Sequence, residues 1–440
     1  MHFCLANYNK SVSMFFSFCT LRIAHFLCLV ILVLSAPVAQ AKGRQYVITE
    51  HGAIHDSTQL QTYTIQNLID KAEADGGGTI VIPKGVYLSG ALFFKPHTHL
   101  QLQEGAVLKG SDQIQHYPLL PSRMEGRSIY YYAALINAYH VDGFSITGPG
   151  TIDGNGLRFW EYFWHYRDSV SKTGRSATNL EVHRPRLLFI WGCNNVSIKN
   201  VNLRNAGFWT THLYKCSNVL MEGCDIRSPF KPVKAPSTDG IDIDACKGVT
   251  IRNCYISVND DAVCIKGGKG PDAHTRGENG MVEDILVEDC TFGESHGTLT
   301  MGSECIHARN IVMRNCKMEH NTSILRLKMR PDTYQIYENI TIENISGQCG
   351  TIISMAPWTQ FFDMQGSTAK PYAVVRNISF SNMYVQCKSL GNMQGNPADS
   401  LYNIQFKNIR ATTEEPVLKT TYTGIKLENF TVNGTPFKLP

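Results

Sequence analysis

Four short stretches hold side chains able to move protons and grip an anion. The first runs Ser237-Thr238-Asp239-Gly240-Ile241-Asp242-Ile243-Asp244 and the second Asn259-Asp260-Asp261-Ala262-Val263-Cys264-Ile265, so that Asp239 to Ile243 overlays Asp261 to Ile265. Gly297-Thr298-Leu299-Thr300-Met301, preceded by His296, and Leu325-Arg326-Leu327-Lys328-Met329 fit the same frame. If these are strands stacked on one another, Asp239, Asp260, Asp261, His296, Arg326 and Lys328 converge on one face. Three carboxylates at a strand spacing of ~4.8 Å cannot all ionise comfortably, so at least one pKa should rise. A raised carboxyl beside ionised ones is an acid/base set, and a cation pair next to it is what a substrate carboxylate requires.

Each of these residues also has a plainer role. Paired aspartates in extracellular β-helices can bind Ca²⁺, but no further acidic ladder surrounds Asp260 and Asp261. His296 on its own could be a structural histidine, and Arg326 and Lys328 ordinary solvated charges. The two cations alternate around Leu327, however, and so both project outward on the strand that continues the acidic column. No cysteine or histidine has metal-ligand spacing, and neither a metal nor a cofactor is expected.

What would stack such strands is an internal repeat. Val196-Ser197-Ile198-Lys199-Asn200-Val201 returns as Val249 to Cys254 and Ile285 to Cys290, with further copies from Val219, Ile311, Ile340, Ile378, Ile404 and Ile425 and a weaker one at Phe144. The fifth residue is Asn, Asp or Gly in all nine stronger copies, types that tolerate positive φ, so each copy reads as strand, corner, strand. The sixth is apolar: Val201, Cys224, Cys254, Cys290, Cys316, Ile345, Met383, Ile409 and Phe430. A unit with an inward face it cannot bury alone must stack. The expected fold is all-β, a right-handed single-stranded parallel β-helix of about ten or more coils, forming one domain over 42–440. Within it, Asp260 lies eleven residues after Val249 and His296 eleven after Ile285, so the two occupy equivalent points on successive coils.

Thr64 to Ala74 is the only helix expected, a cap on the first coil. The longest insertion, 155–184, is read as a loop carrying Trp160, Tyr162, Phe163, Trp164 and Tyr166, either a sugar platform or a cover for coil edges. It and the 266–280 insertion should flank the groove and close one end.

Residues 1–41 differ from the rest: Arg22, an apolar stretch from Ala24 to Val38 and Ala39-Gln40-Ala41 read as a signal peptide, hence an exported protein, periplasmic or secreted, with no membrane anchor left after cleavage. Of fourteen cysteines three precede Ala41, and the eleven that remain mostly occupy the repeat's inward position, as stacked thiols rather than a disulfide framework. A formal charge of +4 without a basic run suits a polyanionic sugar and gives no reason to expect nucleic acid.

The set Ser237-Thr238-Asp239, Asp260-Asp261, Ser295-His296-Gly297 and Arg326-Leu327-Lys328 resembles the four motifs of family 28 glycoside hydrolases, the polygalacturonases and their relatives. The likeness extends to the Gly76 to Thr79 turn and the Gly148 to Gly154 segment. It implies an inverting hydrolase of α-linked galacturonic acid; a monomer acting on pectic polysaccharide or oligogalacturonides is expected, and insertions that close one end of the groove would restrict it to chain ends. By that resemblance Asp260 is the general acid, Asp239 and Asp261 activate water, His296 supports the acid, and Arg326 and Lys328 hold the uronate. Ser237 and Ser295 stand where the family usually has Asn and Gly, and Asn259 precedes the paired aspartates. These departures bear on the substrate more than on the reaction. The alternatives are a rhamnogalacturonan or xylogalacturonan hydrolase, a Ca²⁺-dependent β-helical pectate lyase, and a non-catalytic carbohydrate-binding β-helix.

Overall fold

The nine corner residues of the repeat all have left-handed backbones, with φ between 51° and 65° from Asn200 and Gly223 to Asn429, and the apolar residue after each of them is buried. In this computed structural model, which describes residues 43–320 and 322–439, the strands so turned pair in parallel with the next copy of themselves, giving a parallel β-helix. One inward column runs through Tyr46, Ile80, Leu100, Ile146, Ile198 and Met221 and on, coil by coil, to Phe380, Phe406 and Leu427. Near its end the Phe380 and Phe406 rings stack with centroids 4.6 Å apart. From Arg44 onward the chain is one compact unit. The expected export segment, 1–41, lies outside the described residues.

A second column of corners went unread in the sequence. Asn195, Asn218, Gly248, Asp284, Asn310, Asn339, Asn377 and Asn403 also have positive φ, and they stand just before the inward strand. Their side chains bond from coil to coil, as in Asn377 to Asn339 (2.9 Å) and Asn403 to Asn377 (2.7 Å). All eleven cysteines of the described chain are buried and unpaired. Cys224, Cys254, Cys290 and Cys316 each follow a corner, on successive coils whose next residues are in register.

Among the described residues two α-helices interrupt the strands, not one. Helix α1, Thr62–Ala74, buries Ile65, Leu68, Ile69 and Ala72 against the first coils, as expected of a cap. Helix α2, Leu157–Ser171, occupies the insertion that was read as a loop. Its buried residues, Phe159, Trp160, Phe163 and Val170, have a helical spacing hidden in a run of aromatics, most of which also suit strands and loops. Among the described residues no helix is long and apolar enough to cross a membrane.

The exposed corner ladders should carry measurable stability. Asn408 (φ 54°) donates to Asn382 and accepts from Asn429, each at 3.0 Å. Asn408→Ala puts a Cβ without a local hydrogen bond into the left-handed region and should cost about 1–2 kcal/mol. Asn408→Gly, whose backbone fits, should cost less, and denaturant unfolding of the two variants checks the order.

Candidate active site

The groove floor is four adjacent strands: β1 (Ile241–Asp244), β2 (Val263–Lys266), β3 (Gly297–Met301) and β4 (Ser323–Met329). Ile241, Val263, Leu299 and Leu325 are register partners and point inward, so Asp242, Cys264, Thr300 and Arg326 form the neighbouring outward column. The acids enter from the turns that lead into β1 and β2. There Gly240 N–H donates to the Asp261 carbonyl and His296 N–H to the Asp260 carbonyl, both at 2.9 Å, which fixes Asp239 beside Asp261 and His296 beside Asp260 on successive coils. Gly297 is needed for a close approach: a Cβ there would lie 3.1 Å from Arg326 Cβ and Cδ and closer still to Thr300 Oγ1.

All six sequence-predicted site residues come together. Asp260 Oδ1 lies 3.1 Å from His296 Nδ1, and its side chain is 27% exposed to the cleft, against 6% for Asp239 and 1% for Asp261. The two cations, read from the sequence as a grip for a substrate carboxylate, both bond to Asp261. Arg326 Nη1 donates to Asp261 Oδ1 (3.1 Å) and Lys328 Nζ to Asp261 Oδ2 (2.6 Å), while Trp358 covers both at 5.3 and 5.0 Å from its ring centroid. The two halves of Asp260-Asp261 thus face different partners, one a histidine at the opening and one a buried cation pair. Asp239, Asp261 and Cys264 could geometrically approach one metal ion. Both oxygens of Asp261 are already occupied by cations, and Lys266 Nζ stands 3.7 Å from Asp239, so the donor set does not suit a divalent ion.

Burial, then the charges of Asp242 and Asp260, push Asp239 well above the ordinary carboxylate range. Asp242 is pushed up to about 7, chiefly by burial, with Lys266 3.3 Å away pulling it back. Asp260 goes the other way. Burial opposes its ionisation, but the His296 hydrogen bond and the charges of His296, Lys328 and Arg326 outweigh burial and hold it below the ordinary range. The raised carboxyl that repulsion demanded is therefore Asp239, with Asp242 beside it, rather than Asp260.

The walls enclose a cavity of ≈ 310 Å³. Helix α2 supplies Phe163, Trp164 and Arg167 to the cavity lining, while Phe159 and Trp160 pack against the coils. Trp164 is anchored by its indole N–H on the Lys234 carbonyl at 2.7 Å. Opposite stand Trp358 and Phe361, from the connection after the next coil, and Glu125, at the tip of the antiparallel Leu119–Tyr132 hairpin. The hairpin went unread in the sequence, as did the participation of Asp242, Lys266 and Glu304. The hairpin's stem lies over the coils before β1 and its tip reaches Lys269 and Glu304. Arg123 is buried against Asp244 (2.9 Å), the residue that ends β1, and Arg186 binds Ser122, the Arg123 carbonyl and His212 Nδ1 beneath it. Three sequence departures are absorbed into the walls: Arg184 reaches Ser237 Oγ, Ser295 bonds Thr322, and Asn259 donates to the Pro229 carbonyl.

The family model described as "Glycosyl hydrolases family 28" matches residues 76–431. A probable polygalacturonase of Vitis vinifera is 26% identical over 414 residues, covering 88% of this chain and 78% of its own. An endo-polygalacturonase of Pectobacterium parmentieri is 26% identical over 370 residues, covering 80% and 84%. Among solved structures, an exopolygalacturonase from Thermotoga maritima has the same fold, with a TM-score of 0.76 at 24% identity over 90% of this chain and 93% of that one.

The Asp242 shift has a consequence for stability. Folded, this carboxyl keeps its proton up to about pH 7, whereas in the unfolded chain it releases it near pH 4. Its contribution to stability is full below the unfolded value and is lost as pH rises through the folded one. Asp242→Asn has no such proton, so its unfolding free energy should fall less steeply between pH 4 and 7, by at most about 1.4 kcal/mol per pH unit. Denaturant titrations across that range measure the slope.

Proposed function

Because the chain belongs to glycosyl hydrolase family 28 and is a glycoside hydrolase, we propose that it cleaves α-linked galacturonic acid in pectic polysaccharide, from the chain end and with inversion. The observation that carries this reading is the split of the acid pair: Asp260 at the opening on His296, Asp261 buried on Arg326 and Lys328. An inverting site needs a proton donor on one side of the bond and a base-held water on the other. Asp260 gives its proton to the leaving oxygen as the C1–O bond breaks. Asp261 takes a proton from the water whose oxygen bonds to C1, and Asp239, which keeps its own proton, orients that water. Asp260 must be protonated for this, yet the cleft cations hold it ionised. A substrate carboxylate settling on those cations withdraws part of their charge and so raises the proton affinity of Asp260, which ties bond cleavage to an anionic substrate. The polygalacturonases among the relatives support the same substrate class.

Chain-end action rests on the hairpin plug, because the relatives include endo-acting enzymes. Along the axis the hairpin's stem lies over the coils before Asp239, followed by Asp239, Asp260, His296 and Arg326, while its tip runs on beside β2 and β3 against Lys269 and Glu304. The water-activating side thus lies nearer the stem, and the sugar released is the non-reducing end. The export expected from residues 1–41 suits a polymer substrate outside the cytoplasm.

Proton NMR of fresh product from an α-linked oligomer should show the β-anomer first, and first appearance of the α-anomer rejects inversion. Asp260→Asn should lower kcat by roughly 10²–10⁴ with little change in KM. Lys328→Ala should cost kcat as well as binding, since it releases Asp261.

De-esterified polygalacturonate should exceed the methyl-esterified polymer in kcat/KM by about ten- to a hundredfold, the worth of a charge-assisted contact. Products from the start of digestion should be monomers, with viscosity falling slowly. A fast fall at low bond cleavage marks internal cutting.

A further inference from the structure

Two carboxylates on the cavity wall, Glu125 and Glu304, are not used by the reaction above, and Glu304 is already paired with Lys266. Glu125 sits at the hairpin tip, 8% exposed, on the cavity wall. Asn179 Nδ2 donates to its Oε1 at 3.1 Å, whereas Lys269 Nζ approaches Oε2 only to 3.7 Å, beyond a hydrogen bond. One oxygen of a nearly buried acid therefore has lone pairs to spare. That oxygen faces the cavity, where a donor on a bound ligand can meet it. The tip is held in place by close packing. Gly126, at φ +74°, leaves little room for a side chain: a Cβ would meet Glu304 Cβ at 3.0 Å and the Lys269 amide at 3.1 Å. Glu304 in turn is tied to Lys266, which reaches Asp239 and Asp242, so the position of Glu125 is referenced to the acids.

Resting on the chain-end reading, we infer that Glu125 is the specificity-determining residue of the closed end, accepting a hydrogen bond from the 4-hydroxyl of the terminal galacturonate. That oxygen is where the polymer would continue. A site that spends a buried acceptor on a free hydroxyl takes a chain end and refuses both an internal residue, which has no proton there, and an end that lacks the group.

The test is a cycle between the enzyme and the substrate terminus. Trigalacturonate is compared with the same trimer whose non-reducing ring lacks only the 4-hydroxyl, using wild type, Glu125→Gln and Glu125→Ala. Wild type should prefer the hydroxylated trimer by roughly ten- to a hundredfold in kcat/KM. Glu125→Ala should lose that factor on the hydroxylated trimer, mainly through KM, and little on the deoxy trimer, so the preference collapses toward one. Glu125→Gln, which keeps the shape and an uncharged acceptor, should lie between, and it carries the test if the alanine variant fails to fold. A merely structural glutamate would slow both trimers alike and leave the ratio unchanged, which overturns the inference while the proposed function stands. Wild type cleaving neither trimer overturns both.

Discussion

In-register parallel stacking puts every side chain ~4.8 Å from its equivalents on the coils above and below, and each structural feature of this chain is a way of living with that spacing. Apolar residues satisfy it directly, as the Phe380–Phe406 stack does. Asparagine satisfies it by an amide that donates upward and accepts from below, along columns such as Asn382, Asn408 and Asn429. Thiols satisfy it because they are small and weakly polar. Charge satisfies it only when neighbouring coils differ in sign. Here the outward columns of the floor read Asp242, Cys264, Thr300, Arg326 and Asp244, Lys266.

The site follows from that constraint applied to buried ions. Asp261 alone on its coil would carry an uncompensated charge, and the strand two coils on answers with Arg326 and Lys328. One coil earlier Asp239 has only Lys266 within ion-pair distance, shared with Asp242 and Glu304. Burial, with a single shared lysine, keeps Asp239 and Asp242 above the ordinary carboxylate range, while at Glu304 the charges of Lys266 and Lys269 outweigh burial. No special geometry at Asp239 is required, since the repeat places it and burial beside Asp242 and Asp260 raises it.

This also explains what the sequence could and could not disclose. Corners, inward columns and the approach of Asp260 to His296 are periodic, and counting eleven residues from Val249 and Ile285 finds them. The second Asn column was equally periodic and could have been found by reading one residue ahead of each copy. Asp242 and Lys266 were legible in principle, because aligning Asp244 with Lys266 follows from the same overlay that aligned Asp239 with Asp261. The hairpin and helix α2 were not. They lie outside the repeat, and what places them is contact with distant coils: Arg123 with Asp244, Trp160 with the Ala206 carbonyl. The pairing of both cations with Asp261 was hidden for a related reason, since alternation tells which way a side chain leaves the strand but not which of two adjacent carboxylates it meets.

A solenoid groove is open at both ends by construction, and closing it requires a polar segment laid across a strand face that the repeat leaves outward-facing. The hairpin meets this with buried ions rather than apolar contact alone: Arg123 neutralises Asp244, and burial holds His212 down to about 3, uncharged, so that it can accept from Arg186 while that guanidinium lies 3.8 Å over the Phe189 ring. Replacing such an arrangement by apolar packing is often neutral or stabilising, so stability alone does not explain it. What ions add is register, because a guanidinium that must meet one carboxylate cannot slide along the strand as a leucine can. The plug is thereby fixed relative to β1, the strand that Asp239 leads into, and the length of cleft between them is set by an ion pair.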